Sequence, residues 1–152
     1  MINFLKNIFG QSQTATGTAI DLGISVEDRA ALKNVADSVV LGKITAIASH
    51  PDPKVTKVRV TQCDLGNGTV EQILCGGANI EEGQVVPVAT IGTDLGGGFV
   101  ISERDIRGET SRGMICARQE LGLTEIEAEK GGIWPLPQAL EAKLGTPINT
   151  LA

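Results

Sequence analysis

The chain has 152 residues, 41% of them hydrophobic and 20% charged, with a formal net charge of −5. That length suits one domain with a short extension, and the acidic balance argues against a general polyanion binder, which would normally be basic. Nineteen glycines against three Phe, one Trp and no Tyr favour short strands joined by many turns over long helices.

Phe4, Leu5, Ile8 and Phe9 fall on one side at helical spacing, and Gly10 stops the run. A helix this short is marginal alone in water. Met1–Phe9 is therefore expected to pack back on its own domain or to dock on a protein partner or a membrane surface. Gln11–Ala19 is small and polar and reads as a linker. Ser25 followed by Glu27 and Asp28 is an N-cap with an acidic first turn, which predicts a helix over Val26–Ala36. Residues 1–38 thus form a tail, with helix and linker, ahead of a domain at 39–152.

From Val39 the period changes to two. Val40, Ile44 and Ala46 are expected to face inward with Lys43 and Thr45 outward, and His50-Pro51 ends the run. Val58 and Val60 repeat the pattern, placing Lys57, Arg59 and Thr61 on the opposite face. Gly66-Asn67-Gly68 predicts a hairpin into Val70–Cys75. Gln84–Ile91 is nearly all apolar and suits a strand buried on both faces, with Pro87 at a bulge or an edge. Gly96-Gly97-Gly98 is a turn before a strand that starts at Phe99 and runs toward Ile106. Met114–Cys116 is another short strand, Glu120–Leu123 a helical turn, and Ile133–Leu136 extended chain. Gln138–Leu144 reads as a last helix, stopped by Gly145. The sum is an all-β fold: a small closed barrel of five or six short strands with helical additions at both ends.

Catalytic chemistry is not legible. The one histidine, His50, precedes a proline at a strand end, where terminating the strand is its expected work. Cys63, Cys75 and Cys116 are odd in number and widely spaced, with no CxxC, so they predict buried free thiols rather than disulfides or a zinc site. No metal or cofactor is expected. No run of about 18 apolar residues exists to span a membrane and no secretory signal is apparent, so the expected location is cytoplasmic.

Charge is uneven. Lys43, Lys54, Lys57 and Arg59 against Asp52 make residues 43–61 net +3, and Arg104, Arg107, Arg112 and Arg118 against Asp105 and Glu109 make residues 104–118 net +2. Either these cations share a basic face on an acidic body or they are solvated surface charges. Between Val39 and Cys116 the lone aromatic is Phe99, which also reads as core. Nucleic-acid binding would then rest on Lys and Arg contacts to phosphate and on shape, weakly sequence-selective and strongly salt-dependent.

Three runs carry a family likeness: His50-Pro51-Asp52, Cys75-Gly76-Gly77-Ala78-Asn79, and Arg107-Gly108 with Ser111-Arg112-Gly113-Met114. With Val39–Ile44, Gly83–Ala89 and Glu120–Leu123 in the same order, the chain resembles the tRNA-binding domain shared by the endothelial monocyte-activating polypeptide family and the bacterial phenylalanyl-tRNA synthetase β chain, with the closer likeness to the N-terminal region of the latter. The resemblance implies an oligonucleotide-binding (OB) barrel and tRNA as partner. On the residues themselves, Lys43, Lys57 and Arg59 are expected to share an outer RNA-binding face that Arg104, Arg107 and Arg112 join, with Asn79 and Ser111 as family-motif positions near it that read equally as turn caps. The resemblance also admits a homodimer through the C-terminal part. The catalytic subunit and the other β-chain domains are not in this sequence, so the expectation is a non-catalytic module. The alternative is a structural or protein-interaction module that docks on a larger assembly without RNA.

Overall fold

The computed structural model describes residues 20–152, and the expectations for Met1–Phe9 and Gln11–Ala19 lie outside the described residues. Ser25 caps helix α1 (Val26–Lys33), its hydroxyl accepting from the Asp28 N–H at 3.0 Å. The helix ends three residues before Ala36 because Asn34 takes a non-helical ψ and caps it. Seven short strands follow: β1 (Val39–Ser49), β2 (Arg59–Asp64), β3 (Val70–Cys75), β4 (Val85–Ala89), β5 (Arg104–Ile106), β6 (Glu109–Ser111) and β7 (Met114–Ile115). Single 3₁₀ segments at Gln119–Leu121, Glu127–Glu129, Gln138–Lys143 and Ile148–Leu151 complete the fold.

The main sheet is antiparallel in the order β3-β2-β1-β4-β7, while β5 and β6 form a separate hairpin. β1 is long enough to serve two neighbours, its first half pairing with β4 and its second with β2. An irregularity between Ile44 and Ala46 separates the halves, and such a bulge increases local twist and helps a sheet curl. The curl brings β6 against the free edge of β3. There the Arg112 N–H donates to the Gln72 carbonyl at 2.8 Å, the Gln72 amide to the Thr110 carbonyl at 2.9 Å, and the Leu74 N–H to the Ser111 hydroxyl at 3.0 Å. With β7 already paired to β4, the sheet is a nearly closed five-stranded barrel of the OB type.

Two apolar cores result. Ile44, Cys63, Leu65, Ile73, Val86, Val88 and Ile115 fill the barrel. Val39, Leu41, Val85 and Ala89 face the other way and pack with Leu22, Leu32, Trp134, Leu140 and Ile148 from the flanking segments. β4 alternates between the two cores, so it is buried on both faces as its composition suggests. Gly42 is required by packing: a Cβ there would meet Val88 at 2.8 Å and Leu65 at 2.9 Å.

Four expectations are corrected. Val40 and Ile44 do pack toward the barrel, but the bulge turns Ala46 to solvent and brings Ile47 in instead. The barrel-facing side of β2 is the one opposite its valines: Thr61 and Cys63 point inward while Val60, also buried, lies on the other face, and the fully buried Thr61 hydroxyl donates to the Ile73 carbonyl at 2.7 Å. Pro87 sits at neither edge nor bulge. Its carbonyl accepts from Cys116 beyond the end of β7, and the next bond on that side joins Leu136 to Val85, so its missing N–H falls in the gap between two partners. Phe99–Ile101 follows the Gly97-Gly98 turn with one bridge, Asp94 to Val100, and is not a strand, and Phe99 is 52% exposed instead of core.

Arg118, counted above as part of a basic segment, is buried. Its guanidinium makes a two-point ion pair with Glu129 at 2.8 and 3.2 Å and lies 5.1 Å from the centre of the Trp134 ring. Removing one partner of a buried pair strands the other. Arg118→Ala is expected to cost about 3–5 kcal/mol of stability, seen as a lower urea midpoint with an unchanged slope; an unchanged midpoint would show the pair to be structurally idle.

Candidate nucleic-acid interface

Two of the three motifs singled out in the sequence line one half-open cavity of about 430 Å³ at an end of the barrel, and the third supports it from behind. Cys75-Gly76-Gly77 forms one wall and Ser111, Gly113 and Met114 another. His50 and Asp52 hold the third side in place without lining it.

The β5–β6 hairpin supplies that third side. Its two-residue turn, Arg107-Gly108, has φ of 49° and 95° between the paired residues Ile106 and Glu109, which is the handedness that two-residue hairpins favour. Arginine is an uncommon residue for a positive φ, and three contacts hold it. The Gly108 N–H donates to Asp105 at 3.2 Å, and the Arg107 Nε donates to Asp52 Oδ2 at 2.6 Å. The buried His50 ring bonds Ile106 from below. His50 Nδ1 accepts from the Asp52 N–H at 2.9 Å, so Nε2 carries the proton and donates to the Ile106 carbonyl at 2.7 Å. Strand termination was the role read for His50; the structure adds that it latches loop 50–58 to the hairpin.

Asn79 builds the glycine wall. Its side-chain nitrogen donates to the Ile133 carbonyl at 3.0 Å and its oxygen accepts from the Ile133 N–H at 2.8 Å, like a strand partner. The Ala78 N–H adds a bond to the Gly131 carbonyl at 3.2 Å. Gly76-Gly77 and Gly131-Gly132 are thereby held side by side along the cavity. A Cβ on Gly132 would run into the Asn79 amide, so the clamp requires glycine there.

The basic residues are distributed unevenly around this construction. Lys43 lies apart: it pairs with Asp64 at one end of the β1–β2 ladder while Arg59 pairs with Ser49 at the other, roughly 20 Å away at about 3.3 Å per residue. Its ammonium is 2.7 Å from Glu141. Arg112 is exposed but paired with Glu103 at 3.1 Å. Arg59, on the inward phase of β2, reaches the Gly77 carbonyl at 3.5 Å and so sits at the cavity's edge. Arg104 lines the cavity, is exposed and has no acidic partner among the described residues, and Lys54 and Lys57 stand exposed and unpaired on loop 50–58. Ser111 is buried, its hydroxyl engaged by the Leu74 N–H. Phe99 lies exposed at the cavity, and nothing in its apolar triplet signals that exposure.

The thiols are poor nucleophiles. Burial pushes Cys63 up to about 11 and Cys116 up to about 12, and raises Cys75 as well. All three are free and buried. Among the described residues no cluster of three or more His, Cys, Asp or Glu is arranged to hold a metal ion, and no helix is long and apolar enough to cross a membrane.

Residues 39–146 match the family model described as "Putative tRNA binding domain", and the chain belongs to that tRNA-binding domain family. It is similar to the phenylalanine–tRNA ligase beta subunit of Chlorobaculum tepidum, 41% identical over 97% of this chain and 18% of that protein. The corresponding subunit of Salinibacter ruber is 39% identical over 82% of this chain and 15% of its own length. That of Vibrio cholerae is 40% identical over 76% and 14%. The chain thus spans less than a fifth of the length of these curated relatives.

The latch carries a pH signature. The Lys54 N–H bond to Asp52, and then the Arg107 guanidinium, hold the Asp52 carboxyl below its usual 3.8. A depressed acid contributes stability that is complete above its unfolded value and is lost as pH falls through the folded one. The stability difference between wild type and Asp52→Asn, measured by urea unfolding, is therefore expected to hold steady above pH 3.8 and to shrink on further acidification. A difference independent of pH would mean that the carboxylate charge contributes nothing to the latch.

Proposed function

We propose that this chain is a non-catalytic tRNA-binding module whose RNA-facing surface is the cavity rim, with Arg104, Lys57, Lys54 and Arg59 as its principal cations. The observation that carries this reading is the set of cations without an acidic partner among the described residues on two segments, loop 50–58 and the β5–β6 hairpin, joined by the His50 and Asp52 bonds. Membership of the tRNA-binding domain family supports tRNA as the ligand. Arg107 and Arg112 face solvent and add positive potential, though each shares its charge with a carboxylate. Asn79 and Ser111 act as positioning residues that shape the surface. Lys43 contributes least, being held by Glu141 at the far end of the ladder.

The non-catalytic part of the reading is supported by the engagement of both His50 ring nitrogens with backbone groups and by the raised thiols. The acidic body suits a module that presents RNA to, or works beside, other surfaces instead of coating nucleic acid indiscriminately. A cytoplasmic location follows from a role in translation.

Filter binding of total tRNA across a salt series tests the proposal. Wild type is expected to bind at low salt, with affinity falling linearly on a double-logarithmic plot. Charge reversal at Arg104 or Lys57 is expected to weaken binding and lower the slope by about 0.7–0.9 per lost phosphate contact, while reversal at Lys43 leaves both nearly unchanged. No binding by wild type at low salt would overturn the reading.

A further inference from the structure

The cavity is more than a gap between cationic loops. Its floor is apolar, from Leu74, Ile101 and Ile115. Two glycine strips, Gly76-Gly77 and Gly131-Gly132, line it with bare backbone; a Cβ on Gly76, Gly77 or Gly132 would meet Lys57, Ile133 or Asn79, and only Gly131 is open. At its edge stands Phe99, 52% exposed although it is among the largest apolar side chains in the domain, with Val100 beside it at 49%. Arg104 reaches the same space from β5 without an acidic partner among the described residues, and the one carboxylate in the lining, Glu120, is engaged by the Ala117 N–H at 2.7 Å. A flat face, an apolar floor, bare backbone and a free guanidinium are complementary to one ligand chemistry: a planar heteroaromatic ring that carries an anion.

We infer that the cavity takes a single unpaired nucleobase of the bound RNA, stacked on Phe99, with its phosphate on Arg104. This rests on the tRNA reading above and makes it narrower. Base-paired stems cannot enter, because a base must leave its stack to reach the cavity, whereas loops and single-stranded ends present bases that are already free. It also explains how a domain with one exposed aromatic and a net acidic charge holds RNA: one stacked base adds affinity that salt does not remove.

The test uses the full 152-residue chain, labelled tRNA, and two unlabelled competitors of equal length, an unstructured RNA oligomer and a perfect RNA duplex. Phe99 is exposed just after a turn, so Phe99→Ala is expected to unfold at the wild-type temperature. It should bind tRNA about 5- to 150-fold more weakly, the range for one lost stacking contact, with the salt slope unchanged because no charge is lost. Phe99→Trp should retain wild-type affinity, and the oligomer should outcompete the duplex. Wild-type affinity in Phe99→Ala, or equal competition by the duplex, would overturn the inference while leaving tRNA binding by the rim intact. Failure of wild type to bind tRNA at all would instead remove the broader reading, and absence of binding to the oligomer in that case would remove this one too.

Discussion

The bond pair between Asn79 and the Ile133 backbone is the constraint on which the candidate site depends. It ties a loop that follows β3 to a segment more than fifty residues later, using both polar atoms of one side chain and leaving none of the four groups unmet. The arrangement satisfies backbone that would otherwise be costly to leave unpaired near the interior, where an unmet donor or acceptor costs about 1–3 kcal/mol. It also demands glycine at position 132, since any side chain would occupy the place of the amide. One wall of the cavity is therefore a by-product of satisfying hydrogen bonds.

The opposite side obeys the same logic with different residues. The β5–β6 hairpin is only three residues on each arm, and a hairpin of that size is marginal alone. It is held by Ser111 and Gln72 against the edge of β3 and by His50 and Asp52 against loop 50–58. These contacts close the barrel and simultaneously align the two cation-bearing segments. Fold closure and the assembly of the basic rim are one event, so a family motif that looks functional can be conveying both. His50, Asn79 and Ser111 spend their polar atoms on backbone; Arg104, Lys57 and Phe99 remain available.

How much of this was legible depends on the kind of signal. The barrel was, because Gly66-Asn67-Gly68 names its hairpin, β4 is apolar without interruption, and the motif order carries a family likeness. The inward phase of β2 was not: Val58 and Val60 suggest the buried face by composition, yet Thr61 is buried because its hydroxyl finds the Ile73 carbonyl across the ladder. Pro87 misled for a related reason, since a gap between two partners tolerates proline as well as an edge does. The Arg107-Gly108 turn was passed over because arginine is not a turn residue, and what stabilises it, Asp52, comes from a distant loop. Charge counts failed at Arg118, whose partner and aromatic neighbour are set by tertiary structure. The rule that separates the cases is range: local chemistry was readable, whereas pairing across the barrel was not.

RNA is expected to meet the barrel at its cavity end. Backbone amide shifts recorded by NMR during titration with tRNA examine it residue by residue. The largest changes are expected at Gly76-Gly77, Lys54–Val58, Phe99–Arg104 and Gly131-Gly132, with little change around Lys43 and Glu141. Changes concentrated at the Lys43–Glu141 end, with the glycine strips silent, would contradict it.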